Sequence, residues 1–464
     1  MYHNNGTEGG SNDLKLNDLT LKRQDEKTVL LFNQRNLEIA LLDKDKYEKH
    51  LQESDWRILE QLCMTEGKEP KQYRLSDSFP THISKAYLLF GTDCNIDCKY
   101  CTVRYNAEKF YYRGSMSKET LTNSLRFLFE VNEGIEHITL YGGEPLLHME
   151  QLQQFFAYLE TLPKNKVPRI DLITNGTIIN QKLLYSLNKW NVLVLVSLDG
   201  EEEVHDTFRI DKAGKGTYQK VVSGIQTYRD AGLRVGVSLV LGKHNYKKIN
   251  EICIFLKSQY DIVSIGLTLP HMEPDVVLND EFEEFLCSQY SQILDVCQQQ
   301  QLWFEQGMKR LLALSEKTPY IYGCPATPQG CMIRILPDGT MTLCENMGLR
   351  NLYQLGNVSM QQLKMDDVIN SEDFQKWYNR CTNGNIECQN CRGYAICGMG
   401  CPYDAYLQNG TIFSRERRGC AITRQAVDWY LARMLKTICI SDITKIKIPN
   451  IKERKCVFVE CPWN

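Results

Sequence analysis

Nineteen cysteines in a 464-residue chain constrain this sequence more than any other feature. Without a secretory signal, such density argues for metal ligation rather than disulfides. Cys94, Cys98 and Cys101 form one tight group, and most of the others fall between Cys324 and Cys420. The first residues, MYHNNGTEGGSND, are polar and lack a signal-peptide core. Apolar runs such as Val192–Leu198 are far too short to span a bilayer. A net charge of -3 and a pI near 6.3 argue against a general nucleic-acid or membrane-surface binder. A soluble, cytoplasmic protein with no nucleic-acid or membrane partner is expected.

The chain is too long for one ordinary domain. Residues 1–16 read as disordered. Thr28–Phe32 and Leu37–Leu42 read as strands around an Asn33–Asn36 hairpin turn, with helical patterns at Lys46–Glu53 and Trp56–Met64. They predict a small α+β domain within residues 17–80, ending in a linker from Lys71 to Thr81. From residue 84 to about 310, strands alternate with amphipathic helices. The strand candidates are Ala86–Phe90, His137–Leu140, Ile170–Ile173, Val192–Leu198, Val235–Leu241 and Ile262–Leu267. Six strand–helix units predict an α/β fold, a partial (β/α)6 TIM-like barrel with its chemistry at the strands' C-terminal ends. One long helix is expected from Asp280 to about Gln300. Residues 311–436 are rich in Cys, Gly and Pro, and bound metal is expected to substitute for a core there. A helix at Ile422–Leu435 and a basic tail, 437–464, complete the pattern.

The first cysteine group lies in the loop after the first barrel strand, spaced C-x3-C-x2-C. Three such thiolates can hold three irons of a [4Fe–4S] cube and leave the fourth open to a chelating substrate. The competing readings are a zinc site or reduced core cysteines, but zinc would normally recruit a fourth Cys or His, and none lies nearby. Here the sequence resembles the radical S-adenosylmethionine (SAM) superfamily, whose motif has this spacing and an aromatic, here Tyr100, before the last cysteine. Gly142-Gly143-Glu144 resembles the family's SAM amino-group motif. Alone it could be a turn, as could Asn175-Gly176. The resemblance implies that Asn175, Ser197 and Asp199 approach the ribose and methionine portions of SAM. Arg209, in His205-Asp206-Thr207-Phe208-Arg209, would meet its carboxylate. No catalytic base is identified.

In the second group, Cys388-x2-Cys391-x5-Cys397-x3-Cys401 precedes Cys420, and Cys324, Gly339 and Cys344 lie upstream. This resembles the SPASM pattern, which implies a SPASM domain with two auxiliary clusters over residues 311–436. By that resemblance, auxiliary cluster I takes Cys324, Cys344 and Cys401, with Cys331 as fourth ligand or an open iron instead. Auxiliary cluster II takes Cys388, Cys391, Cys397 and Cys420. Zinc is the alternative, though a second ribbon-like pair is absent. Cys253, Cys287 and Cys297 read as small core residues. Cys381, Cys456 and Cys461 have no assigned role.

The resemblance implies three [4Fe–4S] clusters and SAM, cleaved reductively to a 5′-deoxyadenosyl radical. The N-terminal unit resembles leader-recognition elements, which add an extended peptide to a sheet edge; a structural cap is the plainer alternative. The expected partners are a ribosomally synthesised, cysteine-rich precursor peptide with a leader, and a flavodoxin- or ferredoxin-type electron donor. The expected reaction forms Cys thioether cross-links. An anaerobic sulfatase-maturing, formylglycine-generating enzyme is the alternative. That family carries an Asp directly after the cysteine matched by Cys344, where this chain has Glu345. A non-catalytic iron–sulfur or zinc scaffold is the alternative from another class.

Overall fold

The computed structural model describes residues 16–18, 20–48, 57–67, 81–111, 114–271, 280–317, 332–382, 388, 391–397, 399–437, 447–455 and 458–459. The expected linker, apart from Thr81, lies outside the described residues, as do residues 1–15 and Cys324, Cys331, Cys439, Cys456 and Cys461. So does the side chain of Cys381.

The N-terminal hairpin forms where its turn residues predict. The Asn33 side-chain oxygen accepts the Arg35 and Asn36 backbone N–H groups, an Asx turn that reverses the chain. The strands are β2 (Thr28–Asn33) and β3 (Ile39–Asp43), joined by an unpredicted β1 (Thr20–Gln24) in an antiparallel sheet ordered β1-β2-β3. Its TLKRQ sequence carries one apolar residue, so pairing with β2 rather than its own pattern makes it a strand. Of the expected helices, Lys44–Glu48 and Arg57–Gln61 are helical; residues 49–56 lie outside the described residues, and the second helix ends at Gln61 rather than Met64. The outer edge of β3 meets Lys447, whose N–H donates to the Leu41 carbonyl at 2.9 Å and whose carbonyl accepts from the Leu41 N–H at 2.8 Å. Among the described residues no strand pairs with the outer edge of β1.

All six predicted barrel strands are present: β4 (Lys85–Leu89), β5 (His137–Tyr141), β6 (Arg169–Thr174), β7 (Leu193–Ser197), β8 (Arg234–Val240) and β9 (Ser264–Thr268). They pair in sequence order, every neighbour parallel. Their apolar runs, among them Leu140, Leu172, Val194, Val196, Val237 and Leu239, are fully buried, as a sheet covered by crossover helices requires. Beyond β9 lies the short β10 (Trp303–Phe304). Beyond β4 the sheet gains β11 (Met332–Ile335), parallel to it, then antiparallel β12 (Thr340–Thr342) and β13 (Gln354–Asn357). The cysteine-rich segment therefore shares the barrel's sheet and buries apolar residues through it, beyond what metal alone was expected to supply.

The predicted long helix is two, Asp280–Ser288 and Ser291–Gln299. The side chain of Gln425 enters the break, donating to the Leu286 carbonyl at 2.6 Å and accepting from the Ser291 N–H at 3.1 Å. Cys253 and Cys297 are core residues, but Cys287 is exposed, on the side of its helix away from buried Phe282, Phe285 and Leu286. The C-terminal helix runs Arg417–Thr437, starting earlier than predicted. No helix among the described residues is long and apolar enough to cross a membrane.

The entry into β4, which leads to the first cysteine group, is fixed by buried Asn132. Its amide donates to the Ile83 carbonyl at 2.7 Å and accepts from the Ile83 N–H at 2.6 Å. Replacing Asn132→Ala strands both buried groups, which costs roughly 2 kcal/mol or more. A lowered thermal midpoint is the expected result; an unchanged midpoint contradicts this anchoring.

Candidate active site

Parallel pairing puts the six C-terminal strand ends on one edge of the sheet. The cysteine loop follows β4, Gly142-Gly143-Glu144 follows β5, Asn175 follows β6, Asp199 follows β7, and His244 and His271 lie in the loops after β8 and β9. The cysteine loop is held from two sides. Gly143 and Glu144 donate their backbone N–H groups to the carbonyls of Gly91 and Asp93 at 2.9 and 2.8 Å. On the other side, Asp97 and Lys99 donate to Ile210 and Phe208 at 2.7 and 3.0 Å. The approach at Gly143 is so close that an added Cβ would lie 2.0 Å from the Asp93 carbonyl oxygen.

Each sulfur of this group faces at least one N–H donor. The Asn175 amide is 3.6 Å from Cys94, the Arg209 guanidinium 3.9 Å from Cys98, and the Arg104 backbone N–H 3.4 Å from Cys101. Burial pushes the Cys94 thiol up to about 11 and Cys98 to about 12, and each also feels the charge of its neighbours. Buried thiols with N–H donors but little tendency to ionise alone suit a metal that displaces their protons. Three sulfurs with oriented donors fit an iron–sulfur cluster with one iron left free of protein ligands.

Glu144 is fully buried. Its carboxylate accepts from the Leu146 N–H, the Asn175 N–H and the Thr174 hydroxyl at 3.0, 2.7 and 2.8 Å, tying the loops after β5 and β6 together. Burial outweighs these bonds and pushes the group up to about 7. Three bonds leave a carboxylate room for one more donor. Asn175 also bonds Asn95 at 2.8 Å, and Ser197 lies buried at the end of β7.

Asp199 is the charged node of the site. It pairs with Arg209 at 3.0 and 3.2 Å, accepts the Val240 N–H at 3.0 Å and the Tyr100 hydroxyl, and lies 3.4 Å from the His244 ring. Although burial opposes ionisation, Arg209 and His244 hold the carboxyl well below the usual carboxylate range. His205 is neutral: burial, then the Arg209 charge, lower it to about 3. Its Nδ1 accepts the Asp199 N–H, so Nε2 carries the proton toward Thr217. The Arg209 fork predicted to meet a carboxylate of SAM is thus engaged with Asp199 and Cys98. His244 escaped the sequence reading, although its place after a barrel strand was a usable signal.

Among the later cysteines, the free thiols of Cys397 and Cys420 share a hydrogen bond, and Cys388 lies close enough to act electrostatically on Cys420. Cys391 donates its N–H to the Cys388 carbonyl at 3.0 Å, the turn that a C-x2-C pair needs. Cys344 and Cys401 lie apart in sequence, each at the N-terminus of a helix, Glu345–Gly348 and Pro402–Asn409.

Residues 88–256 match the radical SAM superfamily, and residues 324–392 match the SPASM iron–sulfur cluster-binding domain. The chain is a radical SAM enzyme with a SPASM domain. It binds SAM and [4Fe–4S] clusters. This radical SAM chain is 24% identical over 339 residues to the cysteine-type anaerobic sulfatase-maturating enzyme of Clostridium novyi, covering 67% of this chain and 85% of that one. Its fold is that of AdoMet-bound anSMEcpe, with a TM-score of 0.65, 18% identity, and coverage of 76% and 98%. Streptococcus suis SuiB bound to its precursor peptide SuiA shares the fold at a TM-score of 0.55 and 13% identity, over 88% of this chain and 99% of SuiB.

At this crossing, Gly143→Ala forces the loops after β4 and β5 apart. A several-fold loss of SAM affinity is expected, read by equilibrium binding to the reconstituted protein. Asp199→Ala leaves Arg209 buried without its partner and is expected to destabilise by about 3–5 kcal/mol. Thermal denaturation checks this, and a shift within error rejects Asp199 as the node.

Proposed function

We propose that this enzyme matures a ribosomally synthesised precursor peptide, joining a cysteine sulfur to a carbon of another residue as a thioether. When bound, the first cluster and SAM supply a 5′-deoxyadenosyl radical that removes a hydrogen atom from the peptide. In this reading Cys94, Cys98 and Cys101 hold that cluster. Gly142, Gly143, Glu144, Asn175, Ser197 and Asp199 line the SAM pocket with Tyr100, which stacks on Phe208 and His244 with ring centroids 5.8 Å away in each case. Arg209 fixes Asp199 and steadies Cys98. Two auxiliary clusters complete a set of three. Cys388, Cys391, Cys397 and Cys420 serve one; Cys344 and Cys401 serve the other, with Cys324 and with Cys331 as candidate fourth ligand. An external flavodoxin or ferredoxin supplies electrons.

The observation that carries the choice of substrate is the N-terminal sheet. One edge meets Lys447, and among the described residues no strand pairs with the other, at β1, which suits an extended leader that joins the sheet. The likeness to peptide-bound SuiB, spanning 88% of this chain, supports this reading over one based on the barrel alone.

A second reading, formylglycine generation on a sulfatase, is favoured by the higher TM-score of 0.65 with anSMEcpe. Against it stands Glu345, which replaces the expected Asp and is ion-paired with Arg334. Arg334 in turn lies 4.9 Å over the ring of Tyr87, so Glu345 is held by a structural pair.

Reduced, reconstituted enzyme with SAM and the cysteine-rich peptide encoded beside the gene is expected to yield 5′-deoxyadenosine. The peptide product should be lighter by two hydrogen atoms per link. Formylglycine on a sulfatase-derived peptide, with the neighbouring peptide unchanged, would replace this proposal with the second reading.

A further inference from the structure

Three of the cysteines assigned to clusters stand directly before helices: Cys101 before Thr102–Phe110, Cys344 before Glu345–Gly348 and Cys401 before Pro402–Asn409. Each is bonded into the helix it precedes, its carbonyl accepting the N–H of Tyr105, Gly348 and Ala405 at 3.0, 2.9 and 3.0 Å respectively. The three helices meet at one fully buried side chain, Asn106. Its amide nitrogen donates to the Asn346 side-chain oxygen and to the Tyr403 hydroxyl, both at 3.1 Å. Its oxygen accepts the Arg350 Nε–H at 2.9 Å and lies 3.3 Å from the same hydroxyl. Because a guanidinium only donates, Arg350 fixes which end of the amide faces it. Asn346 and Tyr403 are buried too, and a polar network closed to water holds its members in one arrangement. Apolar side chains of matching shape would pack such a junction nearly as stably, so stability alone does not call for an amide there.

We propose that Asn106 and Tyr403 form a bonded route for single electrons between the first cluster and the auxiliary cluster of Cys344 and Cys401. The inference deepens the proposed function and rests on its assignment of these cysteines. An electron crosses protein faster along covalent and hydrogen bonds than across van der Waals gaps. From Cys101 the route follows the helix to Asn106, crosses one hydrogen bond to Tyr403 and reaches Cys401 two residues away. A second branch crosses to Asn346, two residues from Cys344. In the proposed reaction, joining a peptide thiolate to a carbon radical leaves one electron over. The auxiliary cluster takes up that electron, and the route returns it to the first cluster, which lost one electron in cleaving SAM. The proton of the peptide thiol goes to solvent, and none moves along the route. Asn106 and Tyr403 act through the clusters and touch no substrate, so they are positioning residues.

The test uses the full chain, reconstituted with iron and sulfide, reduced with dithionite, freed of reductant and mixed with SAM alone. Formation of 5′-deoxyadenosine is followed over time, and the cluster spins by freeze-quenched electron paramagnetic resonance. A fast phase that consumes the electron of the first cluster is expected, then a slower phase that keeps step with decay of the auxiliary signal. Asn106→Leu breaks both branches and should slow the second phase by roughly an order of magnitude, leaving the first phase and the iron content unchanged. Tyr403→Phe removes a single oxygen and should slow it several-fold; it decides the matter where Asn106→Leu fails to fold. A second phase as fast in the variants as in the parent, whatever their thermal midpoints, overturns the route and leaves a purely structural joint. A parent enzyme without a second phase overturns it equally. Cys344→Ala combined with Cys401→Ala should lose the iron of one cluster together with the second phase. Unchanged iron content in that double variant overturns the cluster assignment itself.

Discussion

Backbone hydrogen bonds between neighbouring loops are the constraint on which the site depends. The loop carrying Cys94, Cys98 and Cys101 has little regular structure of its own, yet its sulfurs need fixed positions. The bonds from Gly143 and Glu144 to Gly91 and Asp93 fasten it to the next strand's loop. Those from Asp97 and Lys99 fasten it to the segment after β7. Residues without bulky side chains are required where these backbones touch, which gives the paired glycines a physical reason independent of any ligand.

Charge is arranged around the same loop with equal economy. A buried Arg and a buried Asp face each other beside a sulfur, an arrangement that would be costly if either partner were missing. Tyr100, His244 and the Val240 N–H complete the bonding of Asp199, so the pair is satisfied on most sides. His205, neutral behind them, adds a dipole and no further charge. The result is a bonded wall that fixes Asp199 and, through Arg209, presents a donor to the Cys98 sulfur.

Much of this was legible in the sequence because it is local. The barrel strands announce themselves as uninterrupted apolar runs such as Val192–Leu198, and the cysteine spacings are short enough to read directly. What escaped depends on partners far away in the chain. Thr20–Gln24 is a strand because β2 lies beside it. The helical period runs unbroken through Gln289 and Tyr290, while the break is made by Gln425. Met332–Ile335 joins the barrel only because the edge of β4 is available. His271 and Asp404, 133 residues apart, could not be paired by any spacing rule.

The contact between Leu41 and Lys447 has a consequence for how the protein is made. A sheet that forms early on the ribosome keeps one row of its backbone groups unmatched until a residue far downstream is translated. Arg454, buried close by, donates to the carbonyl of Leu37 at 2.9 Å and ties the same late segment to the hairpin. During synthesis that bare edge is open to pairing with another nascent chain, so the order of translation itself sets a window of vulnerability to misassembly.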